Sequence, residues 1–219
     1  MPVTTKLPRP RPPLTPMQGR TARLIPTQTS HAPALYDAFA RDTDGRNWTY
    51  LPYGPFATEA DFTTWMEATC QGDDPLFHTV CTAEGTPVGL ATFLRIDPGA
   101  GVIEVGHIHF SPLMQGSAVS TEAMYLMMKR VFDELGYRRY EWKCDALNAP
   151  SCAAAERLGF TYEGTFRQAT TYKGRNRDTA WFSILDSEWP HLKTAFKAWL
   201  APENFDENGR QRQSLTDLR

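Results

Sequence analysis

The chain has 219 residues, of which 41% are hydrophobic and 22% are charged, a composition typical of a globular protein with one buried core. Its net charge of -2 argues against a protein whose main task is to neutralise a nucleic-acid backbone, so we expect no nucleic-acid partner. The sequence has no apolar run of membrane-spanning length and no signal-peptide pattern, so we expect no membrane partner either.

Four cysteines occur at irregular spacings without a C-x-x-C motif, and two of them lie in apolar, strand-like segments. This pattern favours reduced, buried thiols and therefore a cytoplasmic location. The cysteines are Cys70, Cys81, Cys144 and Cys152.

The two ends of the chain differ in composition from the middle. Six prolines lie within the first 16 residues and no acidic residue precedes Asp37, so we expect residues 1–17 to form a basic, solvated, Pro-rich arm. A nucleic-acid-binding or ribosome-binding role for this arm is the less favoured alternative. Residues 202–219 are polar and predict a mobile tail, which leaves residues 18–201 as a single domain.

The first half of this domain predicts strands and helices in alternation. Residues 21–26 alternate like a strand, and a helix over 31–41 follows with Ser30 as its N-cap. Thr58 predicts the cap of a second helix over 59–71. Three strands with short turns then predict an antiparallel meander over 76–83, 88–96 and 102–110.

Residues 48–56, called the aromatic loop below, contain four aromatic residues interrupted by two prolines and a glycine. Such a segment cannot form a regular element. It either packs its rings onto the core or forms one wall of a substrate pocket. The candidate substrate-binding residues in it are Trp48, Tyr50 and Tyr53.

From Thr121 the apolar residues recur with helical spacing, and Gly136 ends that helix. The next elements are predicted as a strand over 139–144, a helix over 149–158, and strands over 160–168 and 179–185. The basic loop 173–177 between the last two strands is most simply a solvated turn. A final helix begins at Ser187, and its aromatic residues either pack inside the domain or support a homodimer.

Two motifs carry a resemblance to a known family. The six residues before Thr121 resemble the Q/R-x-x-G-x-G/A loop of the GCN5-related N-acetyltransferases (GNAT), and Thr-Glu-Ala after them resembles the RimJ/RimL-type subgroup. Asn148-x-x-Ser151 followed by Gly159-Phe160 resembles a second signature of that family, and the resemblance spans about 20–199. The loop departs from the pattern at its fourth and sixth residues. Its members are Gln115, Gly116, Ser117, Ala118, Val119 and Ser120.

The resemblance implies an α/β fold of the GNAT type. Its central sheet would be mixed and mostly antiparallel, with about seven strands flanked by helices and with splayed fourth and fifth strands, here 102–110 and 139–144. It also implies transfer of an acetyl group from acetyl-CoA to a primary amine, either a protein N-terminus or a small molecule, by direct attack on the thioester. The rival interpretation is a non-catalytic acyl-CoA-binding or regulatory module with the same fold.

The resemblance also implies roles for individual residues. The loop 115–120 would hold the pyrophosphate of coenzyme A with the N–H groups of a helix start, although its hydroxyls could equally act as helix caps. The amide of Ile108, with Phe110 next in line, would polarise the thioester carbonyl. Asn148 would bind the pantetheine arm and Ser151 would lie near the sulfur as a candidate acid, although both could simply form a turn and cap a helix.

Glu104 is the leading candidate for the general base, because it precedes the loop by eleven residues on the strand that faces the thioester. Simple alternation places it on one face with Ile108 and Phe110, and places His107 and His109 on the other. A salt-bridged strand glutamate is the competing interpretation. His107 is expected to line the substrate pocket, with a secondary base role left open, and no metal is expected.

Overall fold

The computed structural model describes residues 5–219, so the first four residues of the predicted arm lie outside the described residues. The described residues form one eight-stranded sheet flanked by helices. No helix within residues 5–219 is both long and apolar enough to cross a membrane. The elements are β1 (Met17–Gln18), β2 (Ala22–Pro26), α1 (Ala32–Phe39), α2 (Glu59–Thr69), β3 (Leu76–Thr82), β4 (Pro87–Asp97), β5 (Val102–Phe110), α3 (Ala118–Lys129), β6 (Arg139–Asp145), α4 (Ala149–Arg157), β7 (Thr161–Tyr172), β8 (Arg175–Leu185) and α5 (Trp189–Leu200). The strand order in the sheet is β1-β2-β3-β4-β5-β6-β8-β7.

The sheet is antiparallel except where β5 meets β6. That parallel ladder pairs Val102 to Val105 with Arg139 to Trp142 and then stops, although both strands continue. The predicted mixed sheet with splayed fourth and fifth strands is therefore confirmed. The sheet has one strand more than the seven predicted. The additional strand is the two-residue β1, which pairs with β2 at the sheet edge.

Each face of the sheet covers its own hydrophobic core. Side chains such as Phe93 and Val105 pack under α3, α4 and α5, and we call this side the helical face. Phe77 and Leu90 point the other way, under α1, α2 and the aromatic loop, and we call this side the aromatic face. Period-two alternation along β3 and β4 produces this division.

The sequence predicted N-cap residues for α1 and α2, and only the prediction for α2 is confirmed. Thr58 caps α2, since its Oγ1 accepts the N–H of Asp61 at 3.1 Å. Ser30 does not cap α1; it lies inside a 3-10 turn, and α1 begins two residues later with no side-chain cap and Pro33 in its first turn. A proline with its fixed φ suits that position, so this start does not depend on a hydroxyl.

Both ends of the chain are attached to the domain at a few points, although most of their described residues are exposed, as expected for solvated ends. The predicted mobility of the ends stays a prediction. The buried guanidinium of Arg130 donates hydrogen bonds to Thr15 Oγ1 at 3.1 Å and to the Pro16 carbonyl at 3.1 Å. At the other end Leu215 is buried and Trp199 Nε1 donates to Gln211 at 2.7 Å. Local composition could not predict the Arg130 contact, because Arg130 lies 115 residues from Thr15 in the sequence.

The aromatic residues of α5 pack inside the domain. Trp189 lies against Phe132, Phe196 lies against Tyr125, and Trp199 is buried as well. The intramolecular interpretation is therefore correct for these side chains, and they give no support to the predicted homodimer, which stays a prediction.

The four cysteines are unbonded thiols. Cys70, Cys81 and Cys144 are buried, as predicted, whereas Cys152 is half-buried on α4. The predicted cytoplasmic location is not tested by these observations and stays a prediction.

A carboxylate on the edge strand makes the stability pH-dependent. Arg139 donates to both oxygens of Glu163, at 2.7 and 2.6 Å, and these bonds lower the pKa of Glu163 to about 2. Because the folded-state pKa lies below the ordinary value of 4.5, this stabilisation is present above that value and is lost as the pH falls towards 2. The carboxylate is 39% exposed, so solvent screening reduces the effect to about 1 kcal/mol.

We expect Glu163→Gln to lower the free energy of unfolding by about 1 kcal/mol at pH 7 and by much less at pH 2.5. Urea denaturation at both pH values measures the difference. Glu67→Gln is the control, because Glu67 is an exposed residue of α2 without an ion pair among residues 5–219. An unchanged gap between wild type and Glu163→Gln at low pH would contradict the assignment.

Candidate active site

A β-bulge in β5 shapes the centre of the site. Gly106 pairs with Thr92 and His109 pairs with Leu90, so one extra residue of β5 is accommodated between the two pairs. His107 takes φ of 46° there, a left-handed conformation that is uncommon for a non-glycine residue. The bulge directly follows the last parallel pair of β5 and β6, so β5 bends where the two strands separate.

The bulge overturns the faces predicted from simple alternation. By register, Glu104, Gly106 and His109 all lie on the aromatic face, and the His107 ring joins them at 5.2 Å from Phe77. Ile108 and Phe110 instead pack with the helical-face core. The prediction that the two histidines oppose Glu104 and that Ile108 and Phe110 share its face is therefore wrong, because one inserted residue inverts the alternation beyond it.

Glu104 is held between two cations. Its side chain is 5% exposed, and Oε2 lies 2.8 Å from Arg95 Nη1 and 2.8 Å from Lys143 Nζ. Lys143 also contacts Glu141 at 2.8 Å and lies 3.7 Å from the centre of the Trp181 ring. The salt-bridged interpretation of Glu104 thus matches the observed geometry, whereas its role as base stays a hypothesis.

Sequence reasoning missed both cations. Lys143 was detectable, since Glu141 and Lys143 alternate with apolar residues in β6 and the parallel pairing places Glu141 beside Glu104. Arg95 was not detectable from the sequence, because its side chain is directed to Glu104 by a second bulge, in β4, at which Arg95 has a φ of 46°. The Asp74 carboxylate fixes that bulge by accepting the Arg95 N–H at 2.8 Å.

His107 and Tyr53 form a pair beside the splay. His107 Nδ1 lies 3.2 Å from the Tyr53 hydroxyl, and the two rings are stacked with 10° between their planes. Burial, followed by the positive charge of Arg95, lowers the pKa of His107 to about 4. The imidazole is therefore neutral at pH 7 and can accept a proton or a hydrogen bond.

His109 has a packing role. Its ring stacks on Phe39 with 4.0 Å between centroids and meets Trp48 edge-on at 3.9 Å, and both ring nitrogens are sealed without a hydrogen-bond partner among the described residues. Trp48 is itself buried, so core packing accounts for it, although it also lines a cavity of about 350 Å³ between α1 and the aromatic loop. Residues 5–219 contain no cluster of three or more His, Cys, Asp or Glu with metal-binding geometry.

The aromatic loop is connected to the open end of the splay. The Tyr50 hydroxyl donates to the Leu147 carbonyl at 2.8 Å, in the turn between β6 and α4. Lys173, at the tip of the β7–β8 hairpin, donates to the Trp48 carbonyl at 2.7 Å, so this hairpin is not the freely solvated turn that the sequence predicted. The loop and the hairpin thus border the splay on the aromatic face.

The start of α3 leaves its first N–H groups available for an anion. Ser117 is the N-cap, but its hydroxyl donates to the Met114 carbonyl at 2.7 Å, and Ser120 Oγ donates to the Ser117 carbonyl at 2.8 Å. Neither hydroxyl caps the helix, so the capping alternative is wrong for these two residues. Gly116 supplies a φ of 67° with open space around it, and Ala118 starts the helix without a positive φ.

Neighbouring side chains are arranged around this helix start. Gln115 Nε2 donates to the Phe110 carbonyl at 2.7 Å, which fixes the loop to the end of β5. Val119 packs against the helical-face core. Arg157, which sequence reasoning missed, donates to Thr121 Oγ1 at 3.1 Å and has no carboxylate partner within residues 5–219. An uncapped helix start with a cation beside it fits the pyrophosphate of coenzyme A.

Asn148 and Ser151 lie at the start of α4, beside the splay. Asn148 Oδ1 accepts the Ser151 N–H at 3.2 Å and so caps the helix, while its Nδ2 group donates to no described residue. Ser151 Oγ accepts a hydrogen bond from Trp142 Nε1 at 3.1 Å, and its own hydroxyl proton can serve another group. Capping and cofactor binding are therefore compatible at both residues.

Comparison with known proteins agrees with this geometry. The family model described as "Acetyltransferase (GNAT) domain" matches residues 22–161. A GCN5-related N-acetyltransferase structure from Brucella melitensis is 48% identical, with 99% of each chain covered and a TM-score of 0.96. A structure from Chromobacterium violaceum ATCC 12472, described as belonging to the GNAT family, is 40% identical, with 87% of this chain and 96% of that chain covered and a TM-score of 0.81.

A curated relative is more distant. YdaF of Bacillus subtilis (strain 168), whose name provisionally assigns it as a ribosomal N-acetyltransferase, is 26% identical over 106 residues. That match covers 48% of this chain and 57% of YdaF, which is less than two thirds of the relative.

The mixed sheet, the splay and the uncapped helix start define an α/β acyl-CoA-binding fold of the N-acetyltransferase type. The chain belongs to the GNAT family of acetyltransferases, whose members use acetyl-CoA.

Gly116 provides a direct test of the cofactor loop. We expect Gly116→Ala to lower stability by about 1 kcal/mol, because alanine is strained at positive φ. We also expect the Kd for acetyl-CoA, measured by calorimetry, to rise roughly tenfold, equivalent to ~1.4 kcal/mol. Gly85→Ala is the matched control, since Gly85 also has a positive φ and open surroundings but lies in the β3–β4 turn. Unchanged affinity in both variants would contradict the assignment.

Proposed function

We propose that the protein transfers an acetyl group from acetyl-CoA to a primary amine by direct attack on the thioester. The observation that carries the proposal is the presence of two features in successive elements: the splay of β5 from β6 and the uncapped start of α3, the helix that follows β5. A long, thin cofactor with a pyrophosphate needs both, since the helix start holds the anion and the open strand edges hold the arm. The GNAT family membership supports this interpretation.

In this proposal each predicted cofactor residue has a distinct task. Backbone N–H groups from Gly116 to Ser120 bind the pyrophosphate, and the free Nδ2 group of Asn148 donates to the pantetheine arm. The amide of Ile108, at the bulge, is aimed at the thioester carbonyl. Ser151 stays the candidate acid. The hydroxyl of Tyr162 is a weaker choice, because this residue lies exposed on β7 and bonds to Thr165.

The acceptor amine enters from the aromatic face. Tyr50 and Tyr53 lie on that side of the splay, and both have their hydroxyls directed at neighbouring site residues. A protein N-terminus or a small-molecule amine fits this opening. The provisional ribosomal assignment of YdaF favours a protein N-terminus as the first acceptor to test.

A panel of primary amines tests the activity itself. Free thiol released from acetyl-CoA would be measured with N-terminal peptides, amino-acid amides and aliphatic amines, alongside calorimetric binding of coenzyme A. We expect binding together with turnover on at least one amine class. Binding without turnover on any amine would replace the proposal with the rival non-catalytic acyl-CoA-binding module, and absence of both would reject the cofactor site.

Tyr50 tests the acceptor side separately. We expect Tyr50→Phe to raise the acceptor KM roughly fivefold, because loss of one hydrogen bond of ~1 kcal/mol releases the loop from the β6–α4 turn. Tyr36→Phe is the matched control, since Tyr36 makes the same kind of bond to the Ala57 carbonyl on the far side of the loop. If alanine at both Tyr50 and Tyr53 left the acceptor KM and kcat unchanged, the aromatic loop would have no part in acceptor binding.

A further inference from the structure

We propose that Nε2 of His107 accepts the proton of the acceptor amine, and that Tyr53 is the positioning residue that holds the imidazole in the required tautomer. This inference rests on the proposed function, because it concerns the same acyl transfer. It replaces the base predicted from sequence with a different residue on the same strand.

The position of His107 follows from the bulge. It directly precedes Ile108, the candidate donor to the thioester carbonyl, and it immediately follows Gly106, just beyond the last parallel pair of β5 and β6. Its side chain projects to the aromatic face, from which the acceptor enters, whereas Ile108 packs on the opposite face. Strand β5 thus presents the backbone N–H of Ile108 and the imidazole of His107 to opposite sides of the splay between β5 and β6.

Tyr53 faces one ring nitrogen of His107, since its hydroxyl oxygen lies 3.2 Å from Nδ1. In the proposed tautomer the Nδ1–H donates to that oxygen, and the lone pair remains on Nε2. Tyr53 is fixed by the ring of Trp65, whose centroid is 4.3 Å away. His107 Nε2 has no partner among the described residues, and it is not sealed from solvent as the ring nitrogens of His78 and His109 are.

The groups around His107 favour a neutral ring. Tyr53 faces it from the aromatic loop, Arg95 acts on it from β4, and Phe77 contacts it from β3. On its own strand Glu104 is engaged with Arg95 and Lys143. Glu104 would have to give up these two ion pairs to take a proton, whereas His107 would not.

The proton balance of the reaction closes without another reagent. The acceptor reacts as the free amine, and its nitrogen forms the bond to the acetyl carbon. Bonding makes the N–H proton more acidic than that of the free ammonium, so His107 Nε2 can take it although burial lowers the pKa of the ring to about 4. The carbon–sulfur bond breaks, and the departing sulfur takes this proton from the imidazolium, which returns the ring to its neutral form.

Backbone geometry selects the variants. Asparagine tolerates the φ of 46° at position 107 better than most residues, and its side chain can still reach Tyr53, so His107→Asn removes the base with little strain. Tyr53→Phe removes only the hydroxyl. His109→Phe is the matched control, because it removes two ring nitrogens from the same strand and face while keeping a planar ring against Phe39.

We expect His107→Asn to lower kcat/KM at least about 100-fold with a strongly basic amine, the usual scale for general-base catalysis. The loss should shrink with weakly basic amines, which need less help to lose a proton. The Kd for acetyl-CoA should stay within twofold of wild type. Tyr53→Phe should shift the acidic limb of the pH–rate profile, and His109→Phe should leave kcat/KM unchanged. Equal losses across amines of all basicities would overturn the role.

Nitrogen-15 NMR of the full-length protein without acceptor gives a second, activity-independent test. We expect the His107 ring, assigned with His107→Asn, to be neutral at pH 6 with an unprotonated Nε2. A charged ring or a protonated Nε2 would overturn the proposal. A wild-type protein that binds coenzyme A but acetylates no amine would reject the proposed function and this role together, whereas an undiminished kcat/KM in His107→Asn would reject this role alone.

Discussion

The single extra residue in β5 is the constraint on which the site depends. A strand that must pair with β4 on one side and separate from β6 on the other cannot keep regular geometry on both edges. The bulge at His107 resolves this conflict locally, since it preserves the ladder with β4 through His109 while bending the strand away from β6. A left-handed residue without glycine's freedom is costly, and such strain is found mainly where function requires the geometry.

The start of α3, where the proposed cofactor site holds the pyrophosphate, also gives up local stability. Serine at the N-cap and in the first turn would normally satisfy the free amide groups of the helix. Here the hydroxyls of Ser117 and Ser120 donate to backbone carbonyls instead, so the helix lacks the stabilisation of a side-chain cap. Its first N–H groups therefore remain available to bind an anion. Gly116 provides the positive φ of the turn, and Gln115 donates a hydrogen bond to the carbonyl of Phe110, the last residue of β5. The strand that carries the bulge is thereby tied to the loop that starts α3.

The sequence predicted most of the fold because the signals involved are local. Alternation located the β5 strand with its observed bounds, and Thr58 marked the start of α2. The two motifs predicted the family for the same reason. The side-chain directions beyond position 106 were wrong, because alternation assumes unbroken pleating and a bulge has no clear signature in a single sequence. The conformation of the chain ends also escaped prediction, since the buried Arg130 that holds the N-terminal arm is more than a hundred residues away.

The charges beneath the aromatic face explain why the predicted base and the proposed base differ. Arg95, Glu104, Lys143, Glu141, Arg139 and Glu163 form a continuous series of ion pairs in which cations and carboxylates alternate. Three positive and three negative groups leave no net charge, and the series spans β4, β5, β6 and β7. Removing the charge of Lys143 would take one cation from each of two largely buried carboxylates, Glu104 and Glu141, which is unfavourable, whereas the exposed end of the series at Glu163 contributes less. Such a series holds the strands around the splay, and each of its carboxylates is paired with a cation. The proposed base, His107, is an uncharged group on the aromatic face that lies outside these ion pairs.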